Sequence, residues 1–314
     1  MSVKLQHDPF GVFKESVTPI GIFVRSHWLR EKSRGLMDAR REHMEALQAS
    51  RRENGSWKNR LVPTMEALFS LQLLGGQESG MGEAGVDWLL QKVMGTDKDG
   101  EEELPKNLRV QLSPLDTKAL RRRHDLVFHR GCGALATISA ALYFSAPFNR
   151  EGDPRVVRAF RHLDKVFRRR RGKWCAFPCS NNVLRAYATH PLKRTSRTTK
   201  RALGHLGRLQ TRGGEWKGVG YFYHLFNTIA QSAIPSAVRQ FERAYGRIVN
   251  LQNEDGTWGD AHREFHTFLV LDGLVKQGYL TKRYGLKRFV EFRRKQVGAP
   301  PLHRVSQHGE VRLQ

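Results

Sequence analysis

Apolar and polar positions along this chain follow the period of helices, and they come in pairs of segments. In the clearest pair, residues 236–251 have an amphipathic pattern and residues 264–277 are more apolar. An amphipathic helix lies at a surface, whereas a helix that is apolar around its circumference is buried. The pattern therefore predicts an outer helix followed by an inner helix, repeated along the chain.

A short motif that contains Gly and Trp joins the two helices of each pair, and three of its copies follow one another at intervals of 42 residues. The copies are Arg168-Gly172-Trp174, Gln210-Gly214-Trp216, Gln252-Gly256-Trp258 and a looser one, Gln48-Gly55-Trp57. Glycine adopts positive φ at little cost, which suits a turn. The Trp ring can pack between adjacent pairs while its N–H finds a backbone acceptor. Such repeats indicate helix pairs stacked side by side.

The repeats predict where each helix begins. Inner helices are expected to begin near Arg60, Gly131, Ser180, Phe222 and Glu264. Outer helices are expected to begin near Leu36, Met81, Asp153, Ser196 and Ser236, with a last helix over residues 281–296. The apolar stretch over residues 9–28 would supply a sixth inner helix and close a ring. We expect one all-α domain over residues 1–299, with repeats clearest over 36–280, and a disordered tail over 300–314.

The Gln, Gly, Trp turns resemble the QW-type repeats of the terpenoid cyclase and protein prenyltransferase superfamily. This resemblance, which covers roughly residues 36–280, implies an α/α toroid of inner and outer helices around a central cavity. Phe265-His266-Thr267 is similar to the inner helix of protein prenyltransferase β subunits that carries a zinc-binding His. The resemblance thus implies an isoprenoid or prenyl-diphosphate substrate.

Two catalytic signatures of that superfamily are missing from the sequence. The DxDD motif with which class II terpene cyclases protonate an alkene does not occur, which argues against cyclisation of the squalene-hopene type. The Asp-x-Cys that provides zinc ligands in prenyltransferase β subunits is replaced by Gly218-Val219-Gly220-Tyr221. What remains resembles bacterial and archaeal prenyltransferase/squalene-oxidase repeat proteins, a family name that implies no reaction.

The three cysteines fall at informative places in the repeat scheme. Cys132 and Cys179 lie in the first turn of an inner helix, and His266 has the equivalent place in the last pair. In a closed toroid these first turns meet at one mouth, and with Cys175 they would give the four ligands of a tetrahedral zinc site. Fewer than four protein ligands would leave a position that activates a thiol or water, whereas four would make the site structural. Burial of free cysteines in the core is the alternative.

Two histidines are candidate catalytic residues. His266 is one, and His224 is the other, within the aromatic run Tyr221-Phe222-Tyr223-His224-Leu225-Phe226. Aromatic walls suit a carbocation or isoprenoid cavity, because ring faces stabilise positive charge. Packing between inner and outer helices is the explanation that we favour for this run. His190 is expected to end the third inner helix, where a cation is favourable.

The charge is the feature that a toroid does not explain. The 314 residues include 54 Lys and Arg against 30 Asp and Glu, a formal net charge of +24. The basic residues cluster at 121–123, 168–171 with Lys173, 193–201 and 287–295. They suit a polyanion, either nucleic acid or an anionic membrane surface, or a diphosphate substrate. No base-reading motif accompanies them, and a solvated outer face is the alternative.

The remaining features set outer bounds. No apolar run approaches the ~20 residues of a membrane span, and three cysteines suit a reducing compartment, so we expect a cytoplasmic protein. Residues 95–114 are predicted to be a mobile acidic loop.

Two functions remain open. One is an enzyme of the isoprenoid type, and the other is a non-catalytic toroid that binds a polyanion on its basic surface.

Overall fold

A computed structural model describes residues 5–96, 102–103, 110–128, 131–219 and 221–280 of the chain. Its α-helices are α1 (Pro19–Phe23), α2 (Arg34–Ser50), α3 (Leu61–Leu74), α4 (Met81–Val93), α5 (Pro114–Arg122), α6 (Gly133–Ser145), α7 (Pro154–Arg169), α8 (Phe177–Thr189), α9 (Arg197–Leu209), α10 (Phe222–Ala230), α11 (Pro235–Asn250) and α12 (Arg263–Lys276). A π-helical turn, Val24–Trp28, extends α1, and 3-10 turns occupy Gly11–Phe13 and Gly76–Ser79. The one strand pair in this part of the chain joins β1 (Gly95–Thr96) to β2 (Glu102–Glu103) in antiparallel register.

The helices form an α/α toroid, which confirms the predicted fold class. Along the inner ring α1, α3, α6, α8, α10 and α12 each pack against the next, and α12 packs against α1. The outer helices α2, α4, α7, α9 and α11 contact the inner ones from outside. The predicted helix starts agree with the observed ones to within three residues. The apolar N-terminal stretch does supply an inner helix, α1.

The repeated turns share one backbone geometry. Gln210 pairs with Trp216 and Gln252 with Trp258 in isolated antiparallel bridges, and each encloses a glycine of positive φ. The first copy uses Arg51 opposite Trp57, so Gln48 is not the equivalent of the later glutamines. The indole N–H groups of Trp57, Trp174 and Trp258 donate to backbone carbonyls of the preceding outer helix, as the sequence predicts.

The glycine of each turn is in contact with the next outer element. A Cβ at Gly55 would overlap the carbonyl oxygen of Ala84 in α4, and one at Gly214 would overlap that of Arg243 in α11. At Gly256 the neighbour is Asp8, in the N-terminal segment. That segment therefore takes the outer position beside the last turn and joins the two ends of the ring.

Some predictions concern residues outside the described ranges. These are the last helix over 281–296, the tail over 300–314 and the basic cluster at 287–295. The predicted acidic loop is described only in part, at the β1–β2 pair and from residue 110 onward. Its end is not loop but the start of α5, a helix that the repeat pattern did not predict. Ser113 caps α5, accepting a hydrogen bond from the N–H of Asp116.

Candidate metal and substrate site at the mouth of the ring

The first turns of the inner helices lie at one end of the toroid, which we call the mouth. Cys132 is the N-cap residue of α6, and Cys179 lies in the first turn of α8. Cys175 precedes α8 by two residues. The three sulfur atoms lie within 4.8 Å of one another. The sequence-based expectation that the mouth gathers these three cysteines is therefore met.

Hydrogen bonds fix the sulfur group to both helices. The Cys132 N–H donates to the Cys179 sulfur at 3.1 Å. The Cys175 N–H donates to the Ser180 hydroxyl oxygen, and that hydroxyl donates to the Cys175 carbonyl. Cys179 is buried, Cys175 is partly buried and Cys132 is exposed. Solvent therefore reaches the group from the Cys132 side.

The electrostatics favour a thiolate at this position. A hydrogen bond from the Cys179 thiol lowers the pKa of Cys132 to about 6. The same bond and burial raise the pKa of Cys179 above its ordinary value. The positive ends of the α6 and α8 dipoles also favour negative charge there. The arrangement therefore favours the thiolate on the exposed sulfur, that of Cys132, over a thiolate on Cys179.

The donor set fits a zinc ion. Sulfurs around a tetrahedral zinc lie ~3.8 Å apart, given Zn–S bonds of about 2.3 Å. The three cysteines satisfy this with small side-chain adjustments, because their sulfurs are already within 4.8 Å. His266 is not part of this group in the described chain, contrary to the expected four-ligand set. The group therefore offers three candidate ligand atoms, all of them cysteine sulfurs.

His266 lies instead in an aromatic cluster of α10 and α12. Its ring centroid is 5.1 Å from that of Tyr223 and 6.0 Å from that of His224. Burial lowers its pKa, and its Nδ1 has no hydrogen-bond partner among the described residues. Removal from water therefore favours the neutral form of the His266 imidazole.

His224 is buried by the polypeptide that crosses the mouth. Its Nε2 lies 3.1 Å from the carbonyl oxygen of Leu126, and its ring is 5.6 Å from that of Phe265. Its side chain thus fixes a loop and packs in the core. This arrangement matches the packing explanation for the aromatic run.

Residues 123–128, which we call the mouth segment, cover this end of the ring. Arg123 contacts Glu66 of α3 at 2.7 Å, and Asp125 lies 3.7 Å from His262 beside α12. Phe128 is fully buried, with its ring 5.4 Å from that of Tyr143 in α6. The repeat pattern does not predict this segment. The sequence feature that marks this segment is the apolar run Leu126-Val127-Phe128 within a basic stretch.

A buried charge lies inside the ring and was also missed. Arg185 of α8 is 4% exposed, and its Nη2 donates to the His224 carbonyl at 3.0 Å. No carboxylate of the described residues lies within ion-pair distance of it, and burial lowers its pKa. Asp272 of α12 attracts it from farther away and itself accepts a hydrogen bond from Asn227 at 2.8 Å. Arg185 thus interacts with three inner helices across the interior.

Aromatic side chains fill much of the remaining interior. The Phe69 ring of α3 lies 6.3 Å from Phe265 and 6.1 Å from Phe268 of α12. Trp28 stacks on Phe268 with a ring separation of 5.7 Å. The interior is therefore apolar and aromatic near α1, α3 and α12, and polar around Arg185.

Among known proteins, the similarity of this chain is one of fold. No protein-family model and no curated protein matches the chain. Among solved structures, a protein from Actinoplanes superposes with a TM-score of 0.52 at 16% identity, covering 82% of this chain and 89% of that one. Type II terpene cyclase MstE from Scytonema superposes with a TM-score of 0.51 at 14% identity, covering 83% and 88%.

A variant of MstE in complex with its substrate, geranylgeranyl dihydroxybenzoate, also superposes with a TM-score of 0.51 at 14% identity, covering 83% of this chain and 87% of that one. In the described part of this chain, no helix is both long and apolar enough to cross a membrane. At this level of identity the likeness concerns architecture alone. The chain has the α/α-toroid fold of type II terpene cyclases.

Proposed function

We propose that this protein transfers an isoprenoid group from a diphosphate to a thiol, at a zinc–cysteine site in the mouth of the toroid. The observation that carries the proposal is the meeting of three cysteine sulfurs at two helix N-termini. The prenylated substrate of the neighbour MstE and the aromatic interior of this ring support the isoprenoid class. The Gly and Trp turns support their assignment as QW-type repeats.

Cys132, Cys175 and Cys179 would hold the metal and leave one position open toward solvent, on the side of the exposed Cys132. A zinc ion there would supply a Lewis acid that lowers the pKa of a thiol in the open position. In the reaction the carbon–oxygen bond of the allylic diphosphate breaks and a carbon–sulfur bond forms. Diphosphate leaves with the electron pair, and the thiol proton goes to solvent.

The ring interior would bind the hydrocarbon chain. Phe69, Phe268 and Trp28, whose rings pack against one another there, would supply aromatic faces that stabilise partial positive charge and exclude water. The mouth segment occupies the entrance, with Phe128 inside. If the hydrocarbon chain of the substrate displaced the mouth segment, apolar contacts with the substrate would replace the apolar contacts of Phe128. His266, whose Nδ1 has no hydrogen-bond partner among the described residues, is the candidate for substrate hydrogen bonding from α12.

The metal content of the tag-free protein tests the site directly. We expect about one zinc per chain by mass spectrometry, and its loss in Cys132→Ala and Cys175→Ala. Both residues are at least partly exposed, so these variants should fold. His266→Ala is the matched control, and it should keep its zinc because His266 lies outside the sulfur group. Zinc that persists in both cysteine variants, or that is missing from the wild type, contradicts the proposal.

Product analysis tests the reaction. The zinc-loaded protein would be incubated with geranylgeranyl diphosphate and a small thiol, and thioether and diphosphate measured by mass spectrometry. We expect both products in equal amounts, and none with Cys132→Ala. A zinc-loaded wild type that forms no thioether from allylic diphosphates of different lengths would leave the site structural and remove the enzymatic role.

A further inference from the structure

Positive charge is concentrated on one side of the outer ring. Helix α7 has six Arg or Lys and one Asp, α9 has four and no acid, and α11 has three and one Glu. On the other side, α2 has three basic and three acidic residues, and α4 has one and two. The charge is thus uneven around the molecule, and the excess lies on three successive outer helices.

Ten basic side chains of these helices are exposed and free of ion pairs with the described residues. We call them the basic wall, and they are Arg161, Lys165, Arg168 and Arg169 of α7, Arg197, Lys200, Arg201 and Arg208 of α9, and Arg239 and Arg243 of α11. Among the described residues no carboxylate lies within 4 Å of any of them. Unpaired exposed charges of one sign repel each other and attract a counter-charge.

Two acidic residues near the wall, Asp164 and Glu215, are already engaged. Asp164 of α7 accepts hydrogen bonds from Lys193 at 2.6 Å and from Thr198 at 2.7 Å. Glu215 lies 3.5 Å from Arg247. Glu242 of α11 is the remaining carboxylate of the three helices. Nearby carboxylates therefore neutralise little of the positive charge of the basic wall.

The basic wall includes a cavity between α7 and α9. It has a volume of about 300 Å³ and is lined by Arg168, Arg197 and Arg201 together with Asp164, Phe167, Ser196 and Thr198. Guanidinium groups bind phosphate oxygens in pairs, and the Asp164 carboxylate in this cavity is already bound by Lys193 and Thr198. By contrast, a second cavity of about 460 Å³ near Asp87 is lined by Arg150 and Arg155, which are paired with carboxylates.

The chemistry of the wall favours nucleic acid over a membrane. The three helices have 13 to 16 residues and are therefore about 20 to 24 Å long, which gives the extent of the wall along the helix axes. Large exposed apolar side chains that would anchor it in lipid are scarce. Those of the described chain are Val17, Met37, Leu115 and Leu192, and only Leu192 adjoins the wall.

We propose that the basic wall binds the phosphodiester backbone of nucleic acid without reading its sequence. None of the large exposed apolar side chains of the described residues is aromatic, so the wall offers no platform for base stacking. Affinity then comes from the phosphates and falls steeply with salt. The proposal is independent of the zinc site, because the wall residues lie on the outer helices.

Binding of the full chain to a fluorescently labelled 20-base-pair DNA duplex of mixed sequence tests this surface. The wall variant is R168Q/R197Q/R201Q. The matched control is R34Q/R41Q/R52Q, which removes the same charge from exposed residues around α2. Thermal unfolding of both variants checks that the ring is intact.

We expect the wall variant to bind at least about 10-fold more weakly than the control at 100 mM salt. We also expect its slope of log K against log salt to be shallower by about 3, at about 0.9 per lost phosphate contact. Two unrelated duplex sequences should bind equally well. Equal weakening in both variants, or wild-type binding to phosphatidylserine vesicles but not to DNA, overturns the proposal.

Discussion

At the residue scale, His190 shows how burial overrides a local preference. It caps the C-terminus of α8, where the sequence predicts a favourable cation. In the structure it is fully buried, with Nε2 3.1 Å from the Ser145 hydroxyl and Nδ1 accepting the Leu192 N–H at 3.2 Å. Burial lowers its pKa to about 4. The expectation of a cation there is wrong, because removal from water disfavours charge more than the helix dipole favours it.

The low pKa of His190 predicts a pH-dependent stability. Between its folded pKa of about 4 and its ordinary value near 6.5, the unfolded chain binds more protons. Stability therefore falls as pH drops through this window, by about 3 kcal/mol from this group. Urea unfolding at pH 7.5 and pH 4.5 should show the fall, and His190→Gln should reduce it. Equal pH dependence in the two proteins would show that His190 does not titrate as described.

At the element scale, the repeated turns depend on backbone contact between neighbours. Gly214 combines a φ of 85° with the carbonyl of Arg243 beside its α-carbon. Gly246, in the middle of α11, has nothing within 4 Å of where a Cβ would lie. The same residue type thus serves two different purposes in adjacent elements. Only the first is required by the fold.

These two glycines predict opposite effects of one substitution. Gly214→Ala should lower the free energy of unfolding by about 2 kcal/mol or more, because it adds strain and a backbone overlap. Gly246→Ala should raise it by about 0.5 to 1 kcal/mol, because alanine favours a helix interior. Denaturant unfolding of both variants measures the difference. A tolerated Gly214→Ala would mean that α11 moves away from the turn without loss.

At the scale of the whole molecule, the toroid is closed by chain ends far apart in sequence. Gln252 accepts hydrogen bonds from the N–H groups of Gln6 and His7 at 2.8 and 3.1 Å, and donates to the His7 carbonyl at 2.9 Å. Its counterpart Gln210 donates to carbonyls of Gln240 and Gly214, while its Oε1 has no partner. The same side chain therefore makes more bonds where the ring is joined.

This difference predicts unequal costs for two matched substitutions. Gln252→Ala should destabilise the protein by about 1 to 2 kcal/mol more than Gln210→Ala, because it leaves two backbone donors without an acceptor. Hydrogen exchange should show the additional opening in α1 and α12, on either side of the join. Equal destabilisation, with no change in exchange there, would mean that the N-terminal segment does not hold the ring closed.

Much of the candidate site follows from the repeats, and some of it does not. Once the helix pairs were aligned, Cys132 and Cys179 had to begin inner helices, and parallel inner helices bring such turns to one end. His266 obeys the same rule but faces the aromatic cluster of α10. The position of a residue within its repeat determines how far along the toroid axis it lies. The direction of its side chain depends instead on how its helix is rotated in the ring.

The sequence by itself determined the helix pairs, the turn that joins them, the ring and the height of the cysteines, because periodicity and repeats are properties of neighbouring residues. Only the tertiary structure decided that three sulfurs meet without His266 and that residues 123–128 cover the mouth. It also decided that Arg185 lies buried and that basic residues of three helices form one wall. Each of these depends on contacts between residues distant along the chain, which no local pattern encodes.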